Sequence, residues 1–311
     1  MPRVALATYD PRTGPSKDRD LPVLVRALRD AGAEAEAVHW DDESADWAAF
    51  DLVVIRSTWD YSWRAAEFTA WAEKCGQVTR IANPVDVVRW NADKRYLGDL
   101  AAAGVPVVPT RYLAPGQNSG QNSGQNSGQN PGQTLGVDDL PGDREFVVKP
   151  VFGAGARFAA RYTPGERETA VAQVARMHAE GLTAMVQPYL TRIDVSGERA
   201  LQFFGGRLLH ASRKRAVLSP GTAYDADKVA HPDLEPWTPT AAELAVAERA
   251  LAAVPDSLEL LYARVDLVDG EDGAPRVMEL ELVEPNLFLW LHPTSLPTVV
   301  DAILDAAAAA G

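Results

Sequence analysis

Cysteine is nearly absent: Cys75 stands alone among 311 residues, which rules out an intramolecular disulfide and any multi-cysteine metal site. Histidine is scarce too, with five scattered along the chain, each read as structural or surface. No uninterrupted apolar run approaches the ~20 residues that a membrane-spanning helix requires. The opening residues, Met1 to Thr8, lack a basic-then-apolar leader and a small-residue cleavage site. The cytoplasm is therefore the expected location, with no membrane partner. Positive charge is in short supply: 30 Lys and Arg against 43 Asp and Glu leave a net charge of −13 and a pI near 4.9. A nucleic-acid binder would show a basic patch or high pI, so nucleic acid is not an expected partner. What remains is a globular balance, 46% hydrophobic and 23% charged, long enough for two or three modest domains.

The first part alternates strand and helix. Val4–Thr8, Ala35–Trp40 and Leu52–Ile55 read as strands, and Leu21, Leu24, Val25 and Leu28 as the apolar face of a helix ending at Gly32, a β-α-β-β order that suggests a small parallel-sheet domain. Asn83-Pro84 marks a boundary, since proline disfavours helix before it. A helix is expected from Asn91, as N-cap, to Ala103, with Gly104 as its stop. Cys75, near the end of an earlier helix, is expected to be buried and inert. A Gln-Asn-Ser-Gly repeat of period four then fills 116–133; with no apolar side chain to offset its ordering entropy, it is expected to be a disordered surface insertion. From Glu145 the pattern changes to antiparallel strand pairs with intervening helices. Gly205-Gly206 marks a hairpin, and Thr240-Ala241-Ala242-Glu243 is a capping box opening a helix to Ala253. Pro297–Ala310 reads as a closing helix.

Three stretches carry chemistry. In Ala263–Val268 and Val277–Leu282, the carboxylates Asp266, Glu279 and Glu281 interrupt apolar strands. Alternation puts Glu279 and Glu281 on one face, and strand pairing brings Asp266 beside them. Crowded carboxylates repel, so a bound cation is what would make them stable together at neutral pH, and an all-oxygen set favours Mg²⁺ or Mn²⁺. A half-exposed sheet face with solvated acids fits the same spacing. In Phe146–Arg157, Lys149 ends an apolar strand ahead of Gly153-Ala154-Gly155-Ala156. This is a loop whose N–H groups could approach phosphate, or an ordinary hairpin turn; it is neither a Walker loop nor a dinucleotide fingerprint. Met185–Leu190 leads from a strand into an extended Pro188 segment, an inter-element connection or a reader of an adenine edge.

The order of these elements resembles the ATP-grasp superfamily, in particular its glutathione-synthetase-like branch. Arg56-Ser57-Thr58-Trp59-Asp60-Tyr61, Asn91–Leu97 and Glu279–Pro285 look most similar to the subgroup containing the cyclo-ligase of D-cycloserine biosynthesis. The resemblance implies an α/β (α+β) fold with three parts: an N-terminal parallel-sheet substrate domain (1–83), a central lid subdomain (84–190), and a C-terminal domain with the metal site (191–311). It implies that Lys94 and Lys149 contact ATP phosphates, that Gly153, Ala154, Gly155 and Ala156 form a flap, and that Gln187, Tyr189 and Leu190 line the adenine pocket. Glu198 would bind the ribose hydroxyls, and Asp266, Glu279 and Glu281 would hold one or two Mg²⁺, or Mn²⁺. Many relatives carry Asn at the place of Glu281. A basic residue stabilises the transferred phosphoryl group, here Arg213 or Lys214, although Arg213-Lys214-Arg215 also fits a solvated charge run. Asp10, Ser57, Thr58, Trp59, Asp60 and Tyr61 would meet a small amino-acid-like substrate, while Trp59 and Tyr61 equally fit packing at a domain seam.

The implied chemistry is phosphorylation of a small carboxylate by ATP, followed by amine attack on the acyl phosphate. An intramolecular attack would close O-ureido-D-serine into a ring; a separate amine would give an amide or dipeptide. A non-catalytic ATP-binding module is the remaining alternative. A homodimer is a further implication of the resemblance.

Overall fold

The computed structural model describes residues 1–10, 18–116, 135–153, 158–218, 221, 233–255 and 260–309. The expected disordered insertion, apart from Gly116, lies outside these residues, as do Ala154, Gly155 and Ala156 of the expected flap.

The chain begins as a parallel sheet of order β2-β1-β3-β4. Its strands are β1 (Arg3–Thr8), β2 (Glu34–His39), β3 (Leu52–Ser57) and β4 (Ile81–Ala82). Alternation sorts its side chains between two cores. Val4, Leu6, Leu52 and Val54 pack under helix α1 (Leu21–Asp30), whereas Ala5, Ala7, Val53 and Ile55 meet Phe68, Ala72 and Cys75 of α2 (Ala65–Val78). Burial pushes the Cys75 thiol up to about 12, so it is inert. The first core is completed from far along the sequence, by Val299, Val300 and Ile303 of the last helix, α8 (Leu296–Ala308).

Two antiparallel sheets follow. The smaller has order β5-β8-β6-β7, formed by β5 (Arg111–Leu113), β6 (Phe146–Pro150), β7 (Ala160–Tyr162) and β8 (Ala184–Pro188). Phe146, Val148, Ala160, Ala184 and Val186 pack against α5 (Arg167–Ala179), which leaves Val147, Lys149, Arg161 and Gln187 on the other face. The larger sheet has order β11-β10-β9-β12-β13, formed by β9 (Glu198–Phe204), β10 (Arg207–Lys214), β11 (Leu234–Trp237), β12 (Tyr262–Asp269) and β13 (Pro275–Glu281). Gly205 and Gly206 join β9 to β10 with φ of 55° and 75°, the left-handed pair that a two-residue hairpin turn needs. Thr240 and Glu243 cap α7 (Ala241–Ala252) reciprocally.

The region after β4 differs from expectation. Instead of one helix running from Asn91 to Ala103, α3 (Val85–Asn91) ends at Asn91 and α4 (Tyr96–Ala102) begins after a turn. Asn91 caps no helix start: its amide donates to the Leu280 oxygen at 2.8 Å and accepts from the Leu282 N–H at 2.8 Å, docking α3 on the β13 backbone. Asn83 is equally committed. Its carboxamide donates to the Tyr262 and Leu282 oxygens at 2.9 and 2.7 Å and accepts from the Leu261 N–H at 2.8 Å. A buried amide with its hydrogen-bonding capacity filled in this way is a rivet rather than a loose joint.

Candidate active site

The five-stranded sheet has one apolar and one charged face. Leu201, Phe203, Val265, Leu267, Val277 and Leu280 point toward α7 and α4. Their neighbours in sequence point the other way, and register aligns them across strands: Glu198 with Lys214, Asp266 with Glu279, Arg264 with Glu281, and Gln202 with Arg264. Asp266, Glu279 and Glu281 therefore share one face.

Protein cations thread between these carboxylates. Arg264 grips Asp266 in a bidentate pair, Nε–Oδ1 and Nη2–Oδ2 both at 2.8 Å, and also donates to Glu281. Lys214 Nζ lies 2.7 Å from Asp266 Oδ2 and is paired with Glu198. Lys94 Nζ lies 2.8 Å from Glu279 Oε1 and donates to the Gly153 oxygen at 2.7 Å. The expectation that only a metal could hold the three acids together is thus corrected: Arg264, Lys214 and Lys94 neutralise them. Among the described residues no group of three or more acid, His or Cys side chains is placed to hold a metal ion with these ion pairs formed.

The neutralisation is incomplete. Glu284, buried and hydrogen-bonded to Tyr61, adds a fifth carboxyl. Burial, outweighing the neighbouring cations, pushes Glu281 up to about 8 and Glu198 and Glu284 up to about 7. Asp266 goes the other way, because Arg264 and Lys214 overcome its burial. Lys149, on the open face of the smaller sheet, makes no ion pair among the described residues; burial lowers its pKa and the field of Glu279 partly offsets this. A cluster of carboxyl oxygens, of which burial drives Glu281, Glu198 and Glu284 toward protonation, suits a hard divalent cation, which would replace those protons.

Alternation also separates the two basic candidates. Lys214 lies in the charged face, whereas Arg213 turns outward to pair with Glu235 of β11 and to lie over Trp237, 5.3 Å from the ring centre. The expected hinge is well anchored. Gln187 donates to Thr110 Oγ1 at 2.9 Å, the Tyr189 N–H to the Glu145 oxygen at 2.8 Å, and the Leu190 oxygen accepts from Ile193 at 3.0 Å. The Tyr189 hydroxyl pairs with Asp194, and its ring lies 3.4 Å beneath the Arg161 guanidinium.

The Ser57–Tyr61 loop at the end of β3 divides its residues. Ser57 bonds Thr8, Oγ to Oγ1, at 2.8 Å, and Asp60 accepts from the Trp40 indole at 2.9 Å, both inside the N-terminal layer. Thr58 is buried. Trp59 donates to the Glu284 backbone oxygen at 3.3 Å, and Tyr61 hydrogen-bonds the Glu284 carboxyl of the charged cluster. Asp10, the last residue described before 18, is engaged in contacts of its own. Sequence reasoning overlooked Arg264 and Glu284. Arg264 stands two residues before Asp266, and the period-two rule that paired Glu279 with Glu281 would have found it.

With this geometry in view, similarity to known proteins is informative. Residues 4–83 match the family model for the N-terminal domain of D-cycloserine synthetase DcsG. The cycloserine biosynthesis protein DcsG of Streptomyces lavendulae is 41% identical over 277 residues, 88% of each chain. The crystal structure of D-cycloserine synthetase DcsG superposes with a TM-score of 0.84 at 36% identity, covering 98% of this chain and 99% of that one. An ATP complex of D-alanine–D-alanine ligase from Bacillus anthracis shares the fold at 16% identity, with a TM-score of 0.65, covering 99% of this chain and 97% of that one. The chain belongs to the D-cycloserine synthetase family of ATP-grasp ligases.

Proposed function

We propose that the protein phosphorylates the carboxylate of O-ureido-D-serine with ATP and closes the product into the isoxazolidinone ring. The observation that carries this reading is the convergence of Lys94, Lys149, Lys214 and Arg264 on five carboxyls, two buried and three half-buried, an arrangement built to hold polyphosphate and divalent cation together. Phosphoryl transfer of this kind is mostly positioning and electrostatics.

In this reading residues 84–190 supply Lys94, Lys149, the 153–156 loop and the adenine-lining Gln187, Tyr189 and Leu190. Residues 191–311 supply Glu198 for the ribose, Lys214 for the transferred phosphoryl group, and Asp266, Glu279 and Glu281 for one or two Mg²⁺, with Mn²⁺ as substitute. Mg²⁺, when bound, would offset negative charge on the phosphates and on the carboxyls that burial now drives toward protonation. Lys214 and Arg264 would then be released from part of their present pairing to face the transferred group. Residues 1–83 present the substrate, with Trp59 and Tyr61 at the seam.

The bonds balance in two steps. A carboxylate oxygen attacks the γ-phosphorus as the β–γ bridge breaks and ADP leaves. The ureido nitrogen next to the side-chain oxygen then attacks the acyl carbon, loses its proton, and phosphate departs. Freeing D-cycloserine itself also requires the carbamoyl carbon to be taken by water as CO₂ and ammonia. Site closure matters because an acyl phosphate is readily hydrolysed. Mass spectrometry of products from purified protein, ATP, Mg²⁺ and O-ureido-D-serine tests the reading. Cycloserine with matching ADP supports it; ATP binding without ring product sinks this substrate and points to amino acids paired with amines.

A further inference from the structure

Arg56 follows the apolar stretch Leu52–Ile55 in β3 and is 1% exposed, a guanidinium in the interior. Its Nη1 donates to the Pro285 oxygen at 3.0 Å, but Nε and Nη2 have no hydrogen-bond partner. The nearest carboxylate is Asp18, also buried, with Oδ2 at 3.5 Å from Nη2 and itself without a hydrogen bond. Asp18 is held in place through its other oxygen, which accepts from the Asp20 and Leu21 N–H groups at 2.8 and 3.2 Å. Gln202, fully buried on the charged face of the five-stranded sheet, donates to the Asn286 oxygen, and its own Oε1 has no partner.

Arg56 and Gln202 thus hold consecutive carbonyls, 285 and 286, and their unused atoms accompany the same short segment. Buried polar groups are normally satisfied, yet beyond the 3.5 Å ion pair of Nη2 with Asp18 these atoms make no hydrogen bond. The anchors of residues 285 and 286 thus leave over two donors on one edge of a guanidinium and two acceptors, a carboxylate oxygen and a carboxamide oxygen. A second carboxylate or a phosphate does not complement this set, because Asp18 would repel it. A neutral group with one carbonyl oxygen and a terminal NH₂ does: the oxygen accepts from the Nε/Nη2 edge, and the NH₂ donates to Asp18 and Gln202. That is the donor–acceptor pattern of a urea or primary carboxamide.

We propose that Arg56, Asp18 and Gln202 form the subsite that recognises the urea end of the substrate, opposite the carboxylate that is phosphorylated. This rests on the function proposed above and assigns what selects a ureido amino acid over its unsubstituted parent. A site that hydrogen-bonds a polar group discriminates strongly against ligands lacking it.

The test is steady-state kinetics on the full chain, following ring product from O-ureido-D-serine, with D-serine as an inhibitor that lacks the urea. Gln202→Met and Asp18→Asn are near-isosteric, and Arg56→Lys keeps the charge but removes the fork. Each is expected to raise KM for O-ureido-D-serine about tenfold or more, with KM for ATP and inhibition by D-serine held within about twofold. If Arg56→Lys fails to fold, as judged by thermal melting, the other two variants carry the test. Unchanged KM values, or a rise shared equally by ATP and D-serine, overturn the subsite and leave the reaction standing. Absence of ring product from the unmodified protein overturns both.

Discussion

Lys94 bridges two parts of the molecule: its ammonium lies 2.8 Å from Glu279 Oε1 on β13 and 2.7 Å from the Gly153 oxygen beyond β6. Burial alone would lower its pKa, yet Glu279 outweighs that and holds it above the ordinary lysine value, while Lys94 and Lys149 hold Glu279 below its own. Each partner thus keeps the other charged. Lys94→Met leaves a half-buried carboxylate without its main partner and is expected to destabilise by about 2 kcal/mol. Glu279→Gln in the same chain should restore part of that stability but none of the activity. Urea denaturation and ADP release on the two single variants and the double check this; a double variant no more stable than Lys94→Met would refute the pairing.

Strand alternation predicts opposite outcomes for two adjacent residues. Lys214→Met is expected to lower kcat by about 100-fold or more, because its ammonium sits among Asp266 and Glu198. Arg213→Met should change kcat by less than about threefold, as its partner is Glu235 at the sheet edge, a surface pair. Equal losses in a coupled ADP assay would contradict the division.

Removing the Asn83 carboxamide deletes four buried hydrogen bonds to Leu261, Tyr262 and Leu282. Asn83→Ala is expected to cost about 3 kcal/mol, read as a lower denaturation midpoint with KM for ATP unchanged. A variant as stable as the parent would show that the amide is not a joint of the fold.

A pH-dependent loss of stability should come from His210. Burial, with the stacked His292 ring 4.0 Å away, depresses its pKa to about 4. Its ring nitrogens lie 2.9 Å from Ser295 Oγ and 2.8 Å from the Leu287 oxygen, as suits a neutral imidazole. An unfolded histidine titrates near pH 6.5. Between about pH 6.5 and pH 4 the unfolded chain therefore takes up a proton that the folded one refuses. This contribution to stability is full above that window and falls through it, by about 2 kcal/mol. His210→Gln should flatten the slope of unfolding free energy against pH there; an unchanged slope would assign the effect elsewhere.

Features set by local chemistry could be read from the sequence. The period-two acids of β13, the double glycine before β10 and the Thr240–Glu243 capping box each declare themselves within a few residues. Residues whose meaning depends on a distant partner could not be read in this way. Asn91 looks like a helix cap because asparagine is a good one, and only the arrival of β13 shows that its amide serves another backbone. Leu234–Trp237 contains a proline and, among the described residues, pairs only with β10, an edge strand that composition argues against. Arg264 was passed over inside an apolar run, where its role as counter-ion to Asp266 and Glu281 is invisible until β12 and β13 are paired.

The packing of α8 on α1 and β1 has a consequence for synthesis. The first sheet emerges from the ribosome long before α8, the helix that covers one side of it. At roughly 5–20 residues per second the nascent chain spends on the order of ten seconds or more with Leu24, Leu28, Val4 and Leu6 short of their cover. Until α8 has been made, the first sheet is the layer most in need of a chaperone, and a truncation that removed α8 would injure the beginning of the fold.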